Sequence, residues 1–190
     1  MPRTTDSAHR AVVTLPRLID ADRLADLVAR ADLLHRCGGL DADIQVPGSS
    51  AIYGDPVFDQ LLADLGNTFS SRVGLRLGPT YSFYRRYVRG NELLPHRDRA
   101  ECEYSITLHL SSATSVSWPI WLREGRGEPE SIDLDPGDGV GYRGPALLHW
   151  REPLADDWHS QLFLHFVDLD GPHHDRLFDG RPRLGVPRRT

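Results

Sequence analysis

The sequence predicts an α+β fold that is mainly β: an antiparallel double sheet of jelly-roll, cupin-like type, with N-terminal helices packed on one sheet. Three observations predict it. Helical periodicity is confined to the first 79 residues. From Tyr81 onward, short runs rich in β-branched and aromatic residues follow one another between Gly, Pro and Asp clusters. No strand–helix–strand alternation of the kind that builds a parallel sheet is present. A chain of 190 residues has room for one domain with a real core, divided here into helical support over 1–79, a β core over 80–170 and a tail over 171–190.

AVVTL at 11–15 has the β-branched content of a first edge strand, after a polar start. Leu24, Leu27, Val28, Ala31 and Leu34 then recur at helical spacing, with Asp20 or Asp22 as N-cap and Gly38 and Gly39 as terminators. DADIQV reads as a short strand. Asp55 followed by Pro56 opens a second helix, whose apolar side is Val57, Leu61, Leu62 and Leu65. Strands are expected at Tyr81–Val88, Glu103–Leu110, Ile120–Arg123, Ser131–Leu134, Val140–Tyr142, Ala146–Glu152 and Gln161–Asp168. After Gly171 the proline-rich, weakly apolar sequence reads as a loosely held tail.

Composition narrows the function classes. With 39% hydrophobic and 26% charged residues the chain is of ordinary globular type. A net charge of -5 gives no nucleic-acid footprint. There is no run of about 18 apolar residues for a membrane helix and no apolar leader at the start, so a cytoplasmic location is expected. Cys37 and Cys102 are far apart and in no redox or metal spacing, which reads as two reduced, structural thiols. Oligomeric state is not legible.

The chemistry concentrates in YSFYRRYVRGNELLPHRDRAECEYSITLHL, residues 81–110. Residues two apart in an extended backbone point to one side, so His96 and Asp98 can present an imidazole and a carboxylate to one point. An H-x-D triplet alone is weak, because surface His and Asp two apart are common; its place between two strands strengthens it. A third ligand should come from a late strand folding back beside the first. His149 in GPALLHWRE meets that requirement, against the plainer reading of a satisfied core histidine. His109 and His165, within apolar alternation, compete as inward-pointing neighbours or barrel lining, and His159 is less defined. Two histidines and a carboxylate with open positions suit a non-haem Fe(II) site that activates O2.

Arg86, Tyr87, Gly90, Pro95, His96, Arg97 and Asp98 resemble the R-Y-x-x-G-x-x-x-x-P-H-x-D signature of the prolyl 4-hydroxylase-like group of Fe(II)- and 2-oxoglutarate-dependent oxygenases. DPGDGVGYRGPALLHWREPL and SQLFLHFVDLDGPH look like a bacterial branch with an HWRE distal segment, so the likeness covers roughly residues 80–172. It implies a double-stranded β-helix, with Fe(II) held by His96, Asp98 and His149 and chelated by the keto acid end of 2-oxoglutarate. It further implies O2-dependent oxidation of a C–H bond, usually hydroxylation, with release of succinate and CO2. The resemblance says little about substrate; at 190 residues little chain is left outside the barrel to dock a large protein or a duplex, which favours a small-molecule or amino-acid-like substrate, with a peptide or carrier-bound residue as the alternative.

One departure stands out. The family's Lys or Arg about ten residues after the distal His, which pairs with the far carboxylate of 2-oxoglutarate, is His159 here. No Lys or Arg lies between Glu152 and Asp170. A buried carboxylate needs a charged or multiply bonded partner. If Tyr87 faces inward, strand parity gives Phe83 and Arg85 the same face. Arg85 is then one candidate anchor, against a plain surface arginine, with Tyr87, His109 or a protonated His159 in support. Arg151, two after His149, is the other, against an ion pair with Glu152 or Asp98. The missing basic residue also keeps open a cupin-like metal-binding or ligand-sensing domain without redox turnover. Trp118, Trp121, Trp150 and Trp158 read as packing, the acidic pairs as turns and solvated rims, and DPGDG as a turn.

Overall fold

The computed structural model describes residues 11–186. Its elements are β1 (Val12–Leu15), α1 (Ala21–Arg36), β2 (Asp41–Ala42), β3 (Ser50–Tyr53), α2 (Pro56–Val73), β4 (Leu77–Val88), β5 (Leu93–His96), β6 (Tyr104–Ser112), β7 (Ile120–Glu124), β8 (Glu130–Ile132), β9 (Gly139–Tyr142), β10 (Leu147–Arg151) and β11 (Trp158–Asp168). They form a seven-stranded sheet, β1-β9-β6-β11-β4-β3-β2, facing a four-stranded sheet, β5-β10-β7-β8. Every recorded pairing is antiparallel.

The helices begin where their caps dictate. The Asp20 carboxylate accepts from the Arg23 amide at 2.8 Å, and Asp55 accepts from the Val57 and Phe58 amides. Asp55 also accepts from Arg30 at 2.6 Å, tying α2 to α1. Gly74, at φ 73°, ends α2 in the left-handed region that a side chain would resist.

Two-residue periodicity divides the large sheet into two faces. On β11, Leu162, Leu164 and Phe166 join Ile106, Leu108 and Tyr84 against Leu27, Phe58, Leu62 and Phe69 of the helices. Each such fully buried side chain contributes about 1.5–3 kcal/mol. The alternate residues, Phe163 and His165 on β11 with Tyr81, Phe83 and Arg85 on β4, line a cavity between the sheets. The helices therefore support the outer face and contribute nothing to the cavity wall.

Several expectations change. DADIQV yields strand only at Asp41–Ala42, the rest being loop, while β3 pairs with β4 without having shown in the sequence. Leu93–His96 forms a strand in its own right, paired with β10. The tail is not loosely held through residue 186: Asp179 and Arg181 are 2% and 4% exposed. Arg181 Nη1 donates to Asp59 Oδ2 at 2.7 Å, and Asp59 also accepts from the amide and hydroxyl of Ser82 and the Gly185 amide. The polar start expected ahead of the first strand, residues 1–10, lies outside the described residues.

Not all the acidic residues are solvated rims. Glu103, 8% exposed, accepts from the Asp168 amide, and Asp156, 6% exposed, accepts from the amide and hydroxyl of Thr114. Among the described residues, no helix is long and apolar enough to cross a membrane.

Candidate metal centre

β10 runs antiparallel to β5 with His149 directly opposite His96. This cross-strand pairing places the two imidazoles with ring centres 4.2 Å apart. Asp98 follows on the segment leaving β5, its amide donating to the Gly144 carbonyl. Asp98 Oδ1 lies 3.4 Å from His149 Nε2 and 3.6 Å from His96 Nε2. One ligand atom from each of the three falls within 4.8 Å of the others.

Both rings are held the same way. His96 Nδ1 bonds the Leu94 carbonyl at 2.9 Å and His149 Nδ1 bonds the Leu147 carbonyl at 3.1 Å. A carbonyl only accepts, so each Nδ1 carries the proton and each Nε2 presents a lone pair towards Asp98. Ser105 donates to the other carboxylate oxygen, Oδ2, at 3.1 Å. Two lone pairs and a carboxylate oxygen converging on one point, with no Lys or Arg paired to Asp98 among the described residues, suit a divalent cation.

Gly144 is what lets Asp98 sit there. A Cβ at residue 144 would collide with the Asp98 carboxylate and the Cys102 carbonyl. This glycine, in the YRG preceding β10, is a site determinant that the sequence alone does not single out.

The triad opens into a cavity enclosing about 530 Å³ of empty space continuous with solvent. Phe83, Leu93 and Phe163 give it apolar walls, Tyr81, Tyr142, Cys102 and His165 surround the metal end, and Gln45 reaches in from the loop after β2. Strand parity places Arg85 inside as expected, opposite Gln161, and Tyr87 opposite His159. Arg85 is already engaged: Nε donates to Asp43 at 2.5 Å, Nη1 to the Tyr87 hydroxyl at 3.0 Å and Nη2 to Gln45 at 2.7 Å. Asp43 and Gln45 lie in the 43–49 loop, whose sequence carries no motif that would have flagged them.

Arg151 is 2% exposed and forms neither expected ion pair, with Glu152 or with Asp98. Its Nη1 donates to the Trp118 carbonyl, its guanidinium lies 4.8 Å from the centre of the Trp118 indole, and its Nε has no partner. With the Gln161 amide turned to satisfy its neighbours, Arg151 Nη2 donates to Gln161 Oε1 at 3.1 Å. Burial lowers its pKa to about 10, against the opposing influence of the Tyr87 and Tyr142 hydroxyls nearby.

His159, 3% exposed, stacks on His109 at 4.1 Å. Burial, then the charge of Arg151, lowers its pKa to about 2, so it is neutral and the protonated His159 considered from sequence does not form. His109 bonds the Leu134 carbonyl and also has a lowered pKa, chiefly through burial. Trp118 packs edge-on against Tyr87 and His159, and Trp121 stacks on Trp150, in keeping with packing roles. Cys37 and Cys102 are free thiols, but Cys102 lines the cavity rather than serving packing alone.

No protein-family model and no curated protein matches the sequence. Solved structures do match the fold. A prolyl-4-hydroxylase from Pseudomonas putida superposes with a TM-score of 0.71 at 18% identity, over 85% of this chain and 94% of the other. A prolyl hydroxylase from Trichoplax adhaerens, solved with a hypoxia-inducible-factor peptide fragment, gives 0.70 at 14% identity, covering 83% and 84%. The epimerase SnoN, solved with Fe3+, alpha ketoglutarate and nogalamycin RO, gives 0.65 at 12% identity, covering 95% and 91%.

Proposed function

From a fold shared with 2-oxoglutarate- and Fe(II)-dependent oxygenases, we propose that this protein is such an oxygenase, oxidising a C–H bond of a compact small-molecule or amino-acid-like substrate, most simply by hydroxylation. The observation that carries the reading is the convergence of His96, Asp98 and His149 within 4.8 Å at the end of one cavity. Fe(II) and 2-oxoglutarate, when bound, supply the O2-dependent oxidation, with succinate and CO2 as coproducts.

The chain's own residues then have separate tasks. The two Nδ1–H groups hold His96 and His149 with Nε2 lone pairs free for a metal, and Ser105, donating to Asp98 Oδ2, orients the carboxylate with Oδ1 towards the two imidazoles. Phe83, Leu93 and Phe163 exclude water from the cavity walls and favour an apolar substrate face. A cavity of about 530 Å³ suits a compact substrate better than a folded protein.

Arg151 is the better candidate for the far carboxylate of 2-oxoglutarate. A buried guanidinium without a carboxylate is costly, and a ligand carboxylate would compensate it. Arg85 already has Asp43. Arg151 thus stands in, from the strand of the distal histidine, for the basic residue missing at position 159.

Anaerobic addition of Fe(II) and 2-oxoglutarate should give a weak visible charge-transfer band that His96→Ala abolishes, and succinate should form under air. No band and no succinate would overturn the proposal.

A further inference from the structure

Asp98 belongs to two donor clusters. Besides His96 and His149, it lies with Cys102 and His165 in a group whose ligand atoms are also within 4.8 Å of one another. The two oxygens of its carboxylate are turned differently. Oδ1 is directed at His96 and His149, while Oδ2 accepts from the Ser105 hydroxyl, which also lies 2.9 Å from His165 Nδ1. Cys102 and His165 are 3% and 6% exposed, yet both line the cavity that contains the triad, so an ion able to reach one cluster can reach the other.

We propose that Asp98, Cys102 and His165 form a second divalent-cation site, selective for thiophilic ions such as Zn(II), Cd(II) and Co(II), back to back with the first and sharing Asp98. The donor sets differ in softness. Two imidazoles and a carboxylate suit Fe(II), whereas one thiolate, one imidazole and one carboxylate favour softer ions. Binding requires the Cys102 S–H bond to break and its proton to pass to solvent as the sulfur–metal bond forms, with no change in oxidation state. The Tyr81 hydroxyl, now 3.0 Å from Cys102 Sγ, then donates to the thiolate. Because Asp98 serves both sites, a thiophilic cation in the second weakens Fe(II) binding in the first. The inference stands on the geometry of these side chains and does not require the oxygenase reading.

The test is an anaerobic Co(II) titration of full-length protein carrying Cys37→Ser, which leaves Cys102 as the one thiol. The expected result is a near-ultraviolet thiolate-to-Co(II) charge-transfer band that persists in a His96→Ala/His149→Ala variant and disappears in Cys102→Ser. His165→Gln, which keeps the thiol, should weaken the Co(II) affinity read from that band at least about tenfold. Absence of the band at saturating Co(II), its survival in Cys102→Ser, or unchanged affinity in His165→Gln overturns the proposal. Failure of the first site shows separately, as loss of the visible Co(II) bands in the Cys102→Ser protein.

Discussion

His149 and His96 are cross-strand partners on β10 and β5. That pairing aims both Nε2 atoms at Asp98 Oδ1, at 3.4 and 3.6 Å. The two imidazoles are therefore fixed by the ladder of the small sheet, while Asp98 is brought to them by the segment leaving β5 and its contact with Gly144.

His149→Ala, which removes one of the three proposed ligands, should weaken Fe(II) binding at least about 100-fold, beyond what losing an outer hydrogen bond costs. Calorimetric metal titration measures this, and circular dichroism should show an unchanged fold.

Gly144→Ala should act on the same site from behind. The added methyl group meets the Asp98 carboxylate and the Cys102 carbonyl. The expected outcome is lost metal affinity, at least about tenfold, although no ligand is altered. Gly125→Ala, where nothing lies within 4 Å, should leave metal affinity unchanged.

Arg151→Met should separate binding from stability. Removing an unpaired buried cation leaves the melting temperature unchanged or raises it. Affinity for 2-oxoglutarate falls by about 2–5 kcal/mol, more than tenfold. Equal loss in Arg85→Met, with Arg151→Met binding normally, would assign the anchor to Arg85.

His159 makes the metal-free protein acid-sensitive. Its pKa is about 2 when folded, against 6.5 for an ordinary histidine, so between these values the unfolded chain binds a proton that the folded one refuses. Its contribution to stability is complete above about pH 6.5 and is lost as pH falls towards 2. Between pH 7 and pH 5 the loss from this group is at most about 2 kcal/mol. Urea unfolding at the two pH values should show it, and His159→Gln should reduce the difference by that amount, the buried His165 and His109, also lowered, keeping their own share.

The tail is secured by a buried pair. Arg181→Met leaves the Asp59 carboxylate buried without its guanidinium, which should cost about 3–5 kcal/mol in urea unfolding and expose the segment after Gly171 to proteases.

By itself the sequence determined the features set by local spacing. Asp20 and Asp55 with Pro56 marked the helix starts through capping chemistry, and apolar alternation marked the strands that became β4, β6 and β11. The His96-x-Asp98 spacing, and His149 on a late strand, picked out the three side chains whose donor atoms converge within 4.8 Å. Parity placed Arg85 inside. Tertiary structure decided what depends on partners far along the chain. Asp43 reaches Arg85 across a loop with no periodic signal, Arg151 turns out to have no carboxylate, and Cys102 stands beside Asp98 instead of in packing alone. The tail looked free because its polar residues are loop-like locally; burial of Arg181 against Asp59 is a long-range ion pair that no nearby residue announces. Local spacing fixes which way a side chain points along its own strand, whereas the charge or lone pair it finally meets is set by strand pairing and loop closure.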